Sequence, residues 1–346
     1  LSLKLILDGP GGYLGMEKGC FTLRDKGDEV KRYPLFEQVI NEVQLRSGNS
    51  VSTGALAAMG FWGIDCMIST ARGRPVALLR SLDDDSHVGT RVAQYEATKN
   101  GRGYTVARSL VAAKLEGQSL VLTRHGLEPH GPEYREKIRR VESSDPGLFT
   151  RQLTGIEGKH TQAYYKQIFG LLPEEIRPER RRGFAAYDGA NNVFNLAYEV
   201  LAWRVHVALI AAKLEPYLGF LHSTQAGKPS LVCDLQELYR HMIDGFLIDY
   251  CAELRGRDFT TKMEAVSRRK RAKREYLSDS ETRILLGKLN GFFESTVKVK
   301  RIRIGGRQSV GTLINEEALL LAKYLRGERA AWSPRVAIPG RLQSDA

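Results

Sequence analysis

The sequence predicts an α+β protein, with a small β-rich N-terminal domain followed by a larger, mostly α-helical domain. Three observations predict this. Over residues 1–85, apolar residues come in short runs broken by turn formers such as Gly9-Pro10-Gly11-Gly12 and Arg72-Gly73-Arg74-Pro75. Beyond Asp83-Asp84-Asp85-Ser86 they recur three and four apart, as in Val92, Tyr95, Val106, Leu110, Val111, Ala113 and Leu115, which is the period of a helix face. At 346 residues the chain also passes the roughly 250–300 residues at which a single core stops growing, so two domains, 1–85 and 86–346, are expected.

In the first domain, strands are expected at Leu3 to Leu7, Cys20 to Leu23, Phe36 to Val43, Ile64 to Ser69 and Pro75 to Leu79. Gly9 to Gly15 reads as a tight turn, because its spacing is not GxGxxG and no helical run follows. Ser52 and Thr53 can cap a short helix through Ala55, Leu56, Ala57 and Met59. The aspartate triplet at the domain boundary reads as a cap with favourable charge at a helix N-terminus rather than as an acidic metal site. In the second domain, helices are expected at Pro132 to Val141, Phe149 to Phe169, Asn191 to Lys213, Leu231 to Tyr250, Glu281 to Phe293 and Glu316 to Leu325, with a strand or hairpin arm at Val297 to Ile304. The tail from Arg335 onward carries no clear element and is expected to be flexible.

A hydrophobic share of 42% against 27% charged residues excludes a disordered or fibrous chain. The excess of 52 Lys and Arg over 40 Asp and Glu, a net +12, makes a polyanion the first partner to consider. No run approaches the roughly 20 apolar residues of a spanning helix, and no signal-peptide pattern opens the chain, so a cytoplasmic protein without a membrane partner is expected. Cys20, Cys66, Cys233 and Cys251 lie far apart with no CxxC pair, which implies neither a zinc site nor a disulfide framework. Cys233 reads as an apolar filler.

Residues with chemical potential concentrate in two places. Leu218-Gly219-Phe220-Leu221-His222 is followed, after a polar loop, by Ser230-Leu231-Val232-Cys233-Asp234-Leu235-Gln236-Glu237-Leu238-Tyr239-Arg240. If the second piece is helical, Asp234 and Glu237 stand three apart on one face, with roughly 5 to 6 Å between their Cβ atoms, so both carboxylates face one point. Leu231, Leu235 and Leu238 form a neighbouring stripe that would bury that side. A third acid, Glu157, lies in Thr154-Gly155-Ile156-Glu157-Gly158. Among small and apolar neighbours an ionised carboxylate calls for a cation, whereas an exposed helical turn needs none, and residue types alone leave both readings open. His222 likewise reads as a core histidine, a general acid or a ligand. One imidazole with carboxylate oxygens would suit manganese or magnesium rather than zinc. Gly227-Lys228-Pro229-Ser230 lacks the leading glycine and the Ser or Thr of a phosphate loop, which argues against an ATPase.

Gly155-Ile156-Glu157-Gly158, Leu218 to His222 and Ser230-Leu231-x-x-Asp234-Leu235-x-Glu237-x-x-Arg240 fall in a recognisable order, preceded by Arg91-Val92-Ala93-Gln94-Tyr95. Asp188-x-x-Asn191-x-x-x-Asn195-x-x-Tyr198 lies among them. In these segments, and nearly end to end, the chain resembles the CRISPR-associated integrases that capture spacers, the first-numbered proteins of the core adaptation pair. The resemblance implies a metal-dependent DNA endonuclease and integrase that inserts fragments by attack of a 3′-hydroxyl on a phosphodiester. It implies Glu157, His222 and Glu237 as ligands of Mg2+ or Mn2+, Asp234 beside them as a further catalytic residue, and Asn191 and Tyr198 as supporting residues. It also implies a homodimer built through the β-rich domain, with two dimers bridged by the second adaptation protein into a heterohexamer, and double-stranded and branched DNA as substrates. Competing expectations are a transposon integrase or stand-alone branched-DNA nuclease of the same fold, and a basic DNA-binding module without catalysis.

Three basic segments are candidates for phosphate contact. Arg177, Arg180, Arg181 and Arg182 form the first, Arg268, Arg269, Lys270 and Arg271 with Lys273 and Arg274 the second, and Lys298, Lys300, Arg301, Arg303 and Arg307 the third. On a chain already at +12 they predict DNA binding that weakens steeply with salt.

Overall fold

The change of period along the sequence corresponds to a change of architecture in a computed structural model of the chain. It describes residues 3–7, 9–24, 30–36, 40–71, 74–81, 86–183, 186–223, 225–267, 270–298, 307–334 and 336. The chain divides into two compact units, Leu1–Gly89 and Thr90–Ala346.

The first unit runs β1 (Leu3–Leu7), β2 (Tyr13–Glu17), β3 (Cys20–Arg24), β4 (Val30–Pro34), β5 (Ile40–Arg46), β6 (Ser50–Val51), α1 (Thr53–Phe61), β7 (Asp65–Ser69) and β8 (Pro75–Leu79). One sheet has the order β4-β3-β2-β6, two antiparallel hairpins with β6 added parallel to β2. The other has the order β1-β5-β7-β8, parallel except for the last pair. Leu14, Phe21, Val43, Met59 and Cys66 are wholly buried in a core shared by both sheets and α1, and Ser52 caps α1 by accepting from Ala55 N. The strand expected from Phe36 starts at Ile40 instead, since Leu35 and Phe36 form a turn. The expected turn over Gly9 to Gly15 ends at Gly12, and Tyr13 to Gly15 belong to β2. Val-Lys-Arg-Tyr-Pro of β4 has too little apolar alternation to signal a strand; as an edge strand it is held by pairing with β3.

The second unit is helical apart from two short β-ribbons among the described residues. α2 (Ser86–Ala97) crosses the division between the units, and α3 (Gly101–Arg124), α4 (Glu133–Arg140), α5 (Pro146–Phe169), α6 (Gly189–Ala211) and α7 (Ser230–Cys251) follow. The ribbon β9 (Phe259–Ser267) and β10 (Lys270–Leu277), α8 (Asp279–Glu294), the pair β11 (Thr296–Lys298) and β12 (Arg307–Ser309), and α9 (Val310–Leu325) complete it. Nearly every residue of α7 is buried, because α3 packs on one side of it and α6 on the other. α5 lies against α3, and α9 against α6 and α8. At the crossing of α3 and α7, a Cβ on Gly117 would sit 2.4 Å from His241 Nδ1, so only glycine lets the two helices come this close.

Helix α6 is long and apolar enough to cross a membrane by length and composition, contrary to the expectation that no such run exists. Half of its apolar window is buried inside the protein, where it packs against α7, α9 and β10, as in a core helix. The β9–β10 ribbon was not signalled by the sequence, because residues such as Lys262, Glu264, Lys273, Arg274 and Glu275 break any apolar alternation. It is anchored instead by hydrogen bonds to the chain before α6, with Glu275 N donating to Tyr187 O (2.9 Å) and Arg274 Nε to Ala186 O (2.8 Å). Of the arm expected at Val297 to Ile304, only Val297 and Lys298 lie in a described strand; Lys300, Arg301 and Arg303, like the tail beyond Val336, lie outside the described residues. All four cysteines are free, and burial pushes the Cys66 and Cys251 thiols up to about 11 and about 12.

Candidate active site

In the second unit, helices α3, α5 and α7 bring Glu157 and Glu237 to one point, while a loop before α7 carries His222 against Asp234. Asp145 caps α5 through Gly147 N and Leu148 N, with Pro146 in the first turn, and sets the register that turns Glu157 toward α3. Facing it on α3 is Lys114, in a buried row with Leu110, Val111, Gln118 and Val121. From α7, Glu237 approaches the same point. The Lys114 ammonium contacts Glu157 Oε1, and Glu237 Oε2 lies 2.6 Å from it. Two acids 80 residues apart in sequence thus share one cation.

Each carboxylate has a second partner. Thr161 Oγ1, one turn along α5, donates to Glu157 Oε1 (2.8 Å). Arg240, one turn along α7, donates from Nη1 to Glu237 Oε1 (2.6 Å) and lays its guanidinium 4.2 Å from the centre of the Tyr198 ring. Burial by itself would push the Glu237 carboxyl up, but Arg240 and then Lys114 outweigh it and hold it down at about 2. Lys114 is raised in turn, since Glu237 and Glu157 outweigh the burial that would lower it.

Asp234 faces elsewhere. Its carboxylate is completely buried and accepts from the backbone N–H groups of Phe220 (2.5 Å), Leu221 (3.0 Å) and His222 (2.9 Å), and Asp234 Oδ1 lies 2.7 Å from His222 Nδ1. The loop can wrap the carboxylate this closely because a Cβ on Gly219 would lie 2.7 Å from Asp234 Oδ2. The expectation that Asp234 and Glu237 aim at one point is therefore corrected: Asp234 is spent on holding the loop and the imidazole, and Glu237 alone of the two turns to Lys114. His222 turns Nδ1 to Asp234, so Nε2 is the ring nitrogen left facing away from it, on a side chain 31% exposed.

The structure brings Glu157 and Glu237 to one point and fixes His222 through Asp234. Among the described residues, no three His, Cys, Asp or Glu side chains stand close enough together to hold a metal ion as they are. The seat between Glu157 and Glu237 nevertheless already holds positive charge. The two carboxylates that meet there offer hard oxygen donors of the kind Mg2+ and Mn2+ take.

Beyond Arg240 lies a second buried layer. Tyr198 OH donates to Asp244 Oδ1, Tyr164 OH donates to Asp244 Oδ2 (2.8 Å), and Tyr165 OH is 2.7 Å from Tyr198 OH. Tyr198 thus supports the site through Arg240. Asn191 does not: its side chain holds the arginine segment, accepting from Arg181 Nη1 (3.0 Å) and Arg182 N (2.9 Å) and donating to Arg180 O (2.8 Å). Within that segment, Arg181 donates to Asn191 and Asn195 and lies 5.2 Å from the centre of the Tyr198 ring, so it is an anchor of the fold. Arg180 is exposed; Arg177 is exposed but bonded to Leu172 O, and Arg182 Nη2 is 3.9 Å from Glu179. Lys270 and Arg271 lie in β10, and Arg268 and Arg269 lie outside the described residues.

Sequence reasoning missed Lys114, Asp244 and the role of Arg240. The signal for Lys114 was present in a charged residue at an inward position of the row Leu110, Val111, Lys114, Gln118, Val121. The rings of His130 and His160 lie with their centres 5.0 Å apart, and burial lowers His130 to about 4.

The family model described as CRISPR associated protein Cas1 matches residues 5–282. A CRISPR-associated endonuclease Cas1 of Archaeoglobus fulgidus is 27% identical over 354 residues, 94% of this chain and 97% of the relative. One from Pyrobaculum aerophilum is 32% identical over 254 residues, 71% of this chain and 81% of the relative. Among solved structures, a casposase bound to its integration product superposes with a TM-score of 0.71 at 19% identity, covering 95% of this chain and 97% of that one. A partial Cas6-RT-Cas1–Cas2 complex gives 0.71 at 17% identity, covering 99% and 100%. The structural likenesses concern the fold.

Proposed function

The chain belongs to the CRISPR-associated Cas1 family, and on that premise we propose that it is a divalent-metal-dependent DNA endonuclease and integrase that inserts captured fragments into a CRISPR array. The observation that carries the reading is the meeting of Glu157 and Glu237 on a single cation, buried within a chain of net charge +12. Mg2+ or Mn2+ would be held by Glu157, Glu237 and His222 Nε2, and would polarise the scissile phosphate and offset charge on the leaving oxygen. Asp234 keeps the imidazole in the tautomer that leaves Nε2 open, and Arg240 keeps Glu237 ionised and aimed. Exposed Arg180 and the basic β9–β10 ribbon supply charge along which a DNA backbone can run.

The bond formed joins the 3′-oxygen of the incoming fragment to a phosphorus of the target strand, and the bond broken is the one from that phosphorus to the 3′-oxygen of its upstream nucleotide, which leaves as a free 3′-hydroxyl while the phosphorus keeps its 5′-oxygen. Such a transfer asks the protein chiefly for positioning and electrostatics. Relatives named as endonucleases support the nuclease part of the reading, and a casposase of like fold, solved with an integration product, supports the joining part. A neighbour solved with Cas2 supports the second adaptation protein as partner, with a homodimer, and two homodimers bridged into a heterohexamer, as the proposed assembly.

Purified protein carrying Glu157→Ala should lose strand joining on a repeat-bearing plasmid while keeping its fold and its affinity for DNA. Unchanged joining would overturn the assignment. A chelator separates the reading from a purely DNA-binding module, whose affinity would persist with no activity to lose.

A further inference from the structure

A lysine stands where the proposed metal would sit, and its placement bears on how the ion enters. Lys114 projects from the buried row of α3, is 9% exposed, and places its ammonium against both Glu157 Oε1 and Glu237 Oε2. The ammonium is the one positive group that both carboxylates touch among the described residues, so it bridges them. A divalent ion bound by the same oxygens would occupy the same place, and two cations cannot share it. The lysine stem is flexible and its charge is a single point, so the ammonium can leave without unpacking the helix.

We propose that Lys114 holds the two acid ligands together in the metal-free protein and is displaced by the incoming divalent ion, which makes it a positioning residue that competes with the metal. The inference rests on the metal-site reading above. It also places the freed ammonium beside the ion, as a donor for the phosphate that arrives with DNA.

The test is Mn2+ binding to the full chain without DNA, followed by the electron paramagnetic resonance signal of free Mn2+. Lys114→Met should bind Mn2+ about tenfold more tightly than wild type, because a competing charge is gone, and Lys114→Arg should bind no more tightly than wild type. Equal or weaker binding by Lys114→Met would overturn the proposal. A second measurement needs no variant: mass-spectrometric acetylation footprinting of wild type should show Lys114 becoming more reactive when Mn2+ is added, and unchanged reactivity would also overturn it. Glu237→Gln separates this failure from that of the underlying reading. If Mn2+ binds wild type and Lys114→Met alike and Glu237→Gln abolishes binding, displacement falls and the metal site stands; if neither wild type nor Lys114→Met binds Mn2+, both fall.

Discussion

Glu237 and Asp244 lie two turns apart on α7, both almost wholly out of water at 4% and 1% exposure, yet one is met by cations and the other by phenols. Arg240 and Lys114 hold Glu237 down at about 2 despite its burial. At Asp244, burial dominates and pushes the carboxyl up to about 6, with the hydrogen bond from Tyr198 and the charge of Arg240 only partly opposing it. The difference shows that a buried acid on an apolar helix is not by itself a functional signal. What surrounds it decides whether it is held as a firmly charged group beside other cations or as an acceptor in a phenol layer that takes up a proton more readily.

The sharpest way to break the comparison is to neutralise each acid in place. Glu237→Gln should lower single-turnover strand joining by about a thousandfold, because it removes both a ligand oxygen and the charge that attracts the ion. Asp244→Asn should stay within about threefold, since no reacting group touches that layer. Equal losses in the two variants would mean that the phenol layer takes part in the chemistry.

Removing the cation that separates the two layers should come next in size. Arg240→Met leaves Glu237 with Lys114 alone and takes the guanidinium off the Tyr198 ring, so the protein should lose about 3 to 5 kcal/mol in urea unfolding. A loss below about 1 kcal/mol would mean that Glu237 relaxes to solvent, and the view of it as a locked buried charge would fall.

The two acids should also give opposite pH slopes. The pKa of Glu237 is depressed in the fold, so its stabilising contribution is complete above about pH 4.5 and is lost as pH falls toward 2. That of Asp244 is raised from 3.8 to about 6, so the folded protein holds the extra proton between those values. Stability then falls as pH rises through that window. Relative to wild type, Glu237→Gln should therefore gain ground as pH drops below 4.5, and Asp244→Asn as pH climbs from 4 to 6, each by on the order of 3 kcal/mol at most. Urea midpoints measured across pH 3 to 8 would settle the signs, and parallel curves for wild type and Asp244→Asn would remove the raised Asp244 from the account.

The comparison also marks where the sequence could be read and where it could not. The fold class was legible because the apolar period changes near residue 86, and α7 was legible because its apolar residues run on every side. The candidate acids were reached through motifs whose residues the structure places on three separate elements. What stayed hidden depends on contacts between distant segments. Three-residue spacing put Asp234 and Glu237 on one face, but only the loop at Phe220 to His222, folded back over Asp234, turns the two carboxylates to different partners. Lys114 and Glu157 are 43 positions apart, and Arg181, grouped by charge with its neighbours, proved to be a packing residue once Asn191, Asn195 and Tyr198 were seen around it.

The smallest effect is the most discriminating for Tyr198, which belongs to both layers through different atoms. Its hydroxyl serves Asp244 and Tyr165, whereas its ring serves Arg240. Tyr198→Phe removes only the hydroxyl, so it should cost about 1 to 2 kcal/mol in stability and raise Asp244 further, while strand joining stays near wild type because the ring still supports Arg240. Tyr198→Leu removes the ring as well, leaves the guanidinium without its platform, and should slow joining by loosening the hold on Glu237. If Tyr198→Phe slowed joining as much as Tyr198→Leu, the hydroxyl rather than the ring would be the link between the layers, and the line drawn here between Glu237 and Asp244 would have to move.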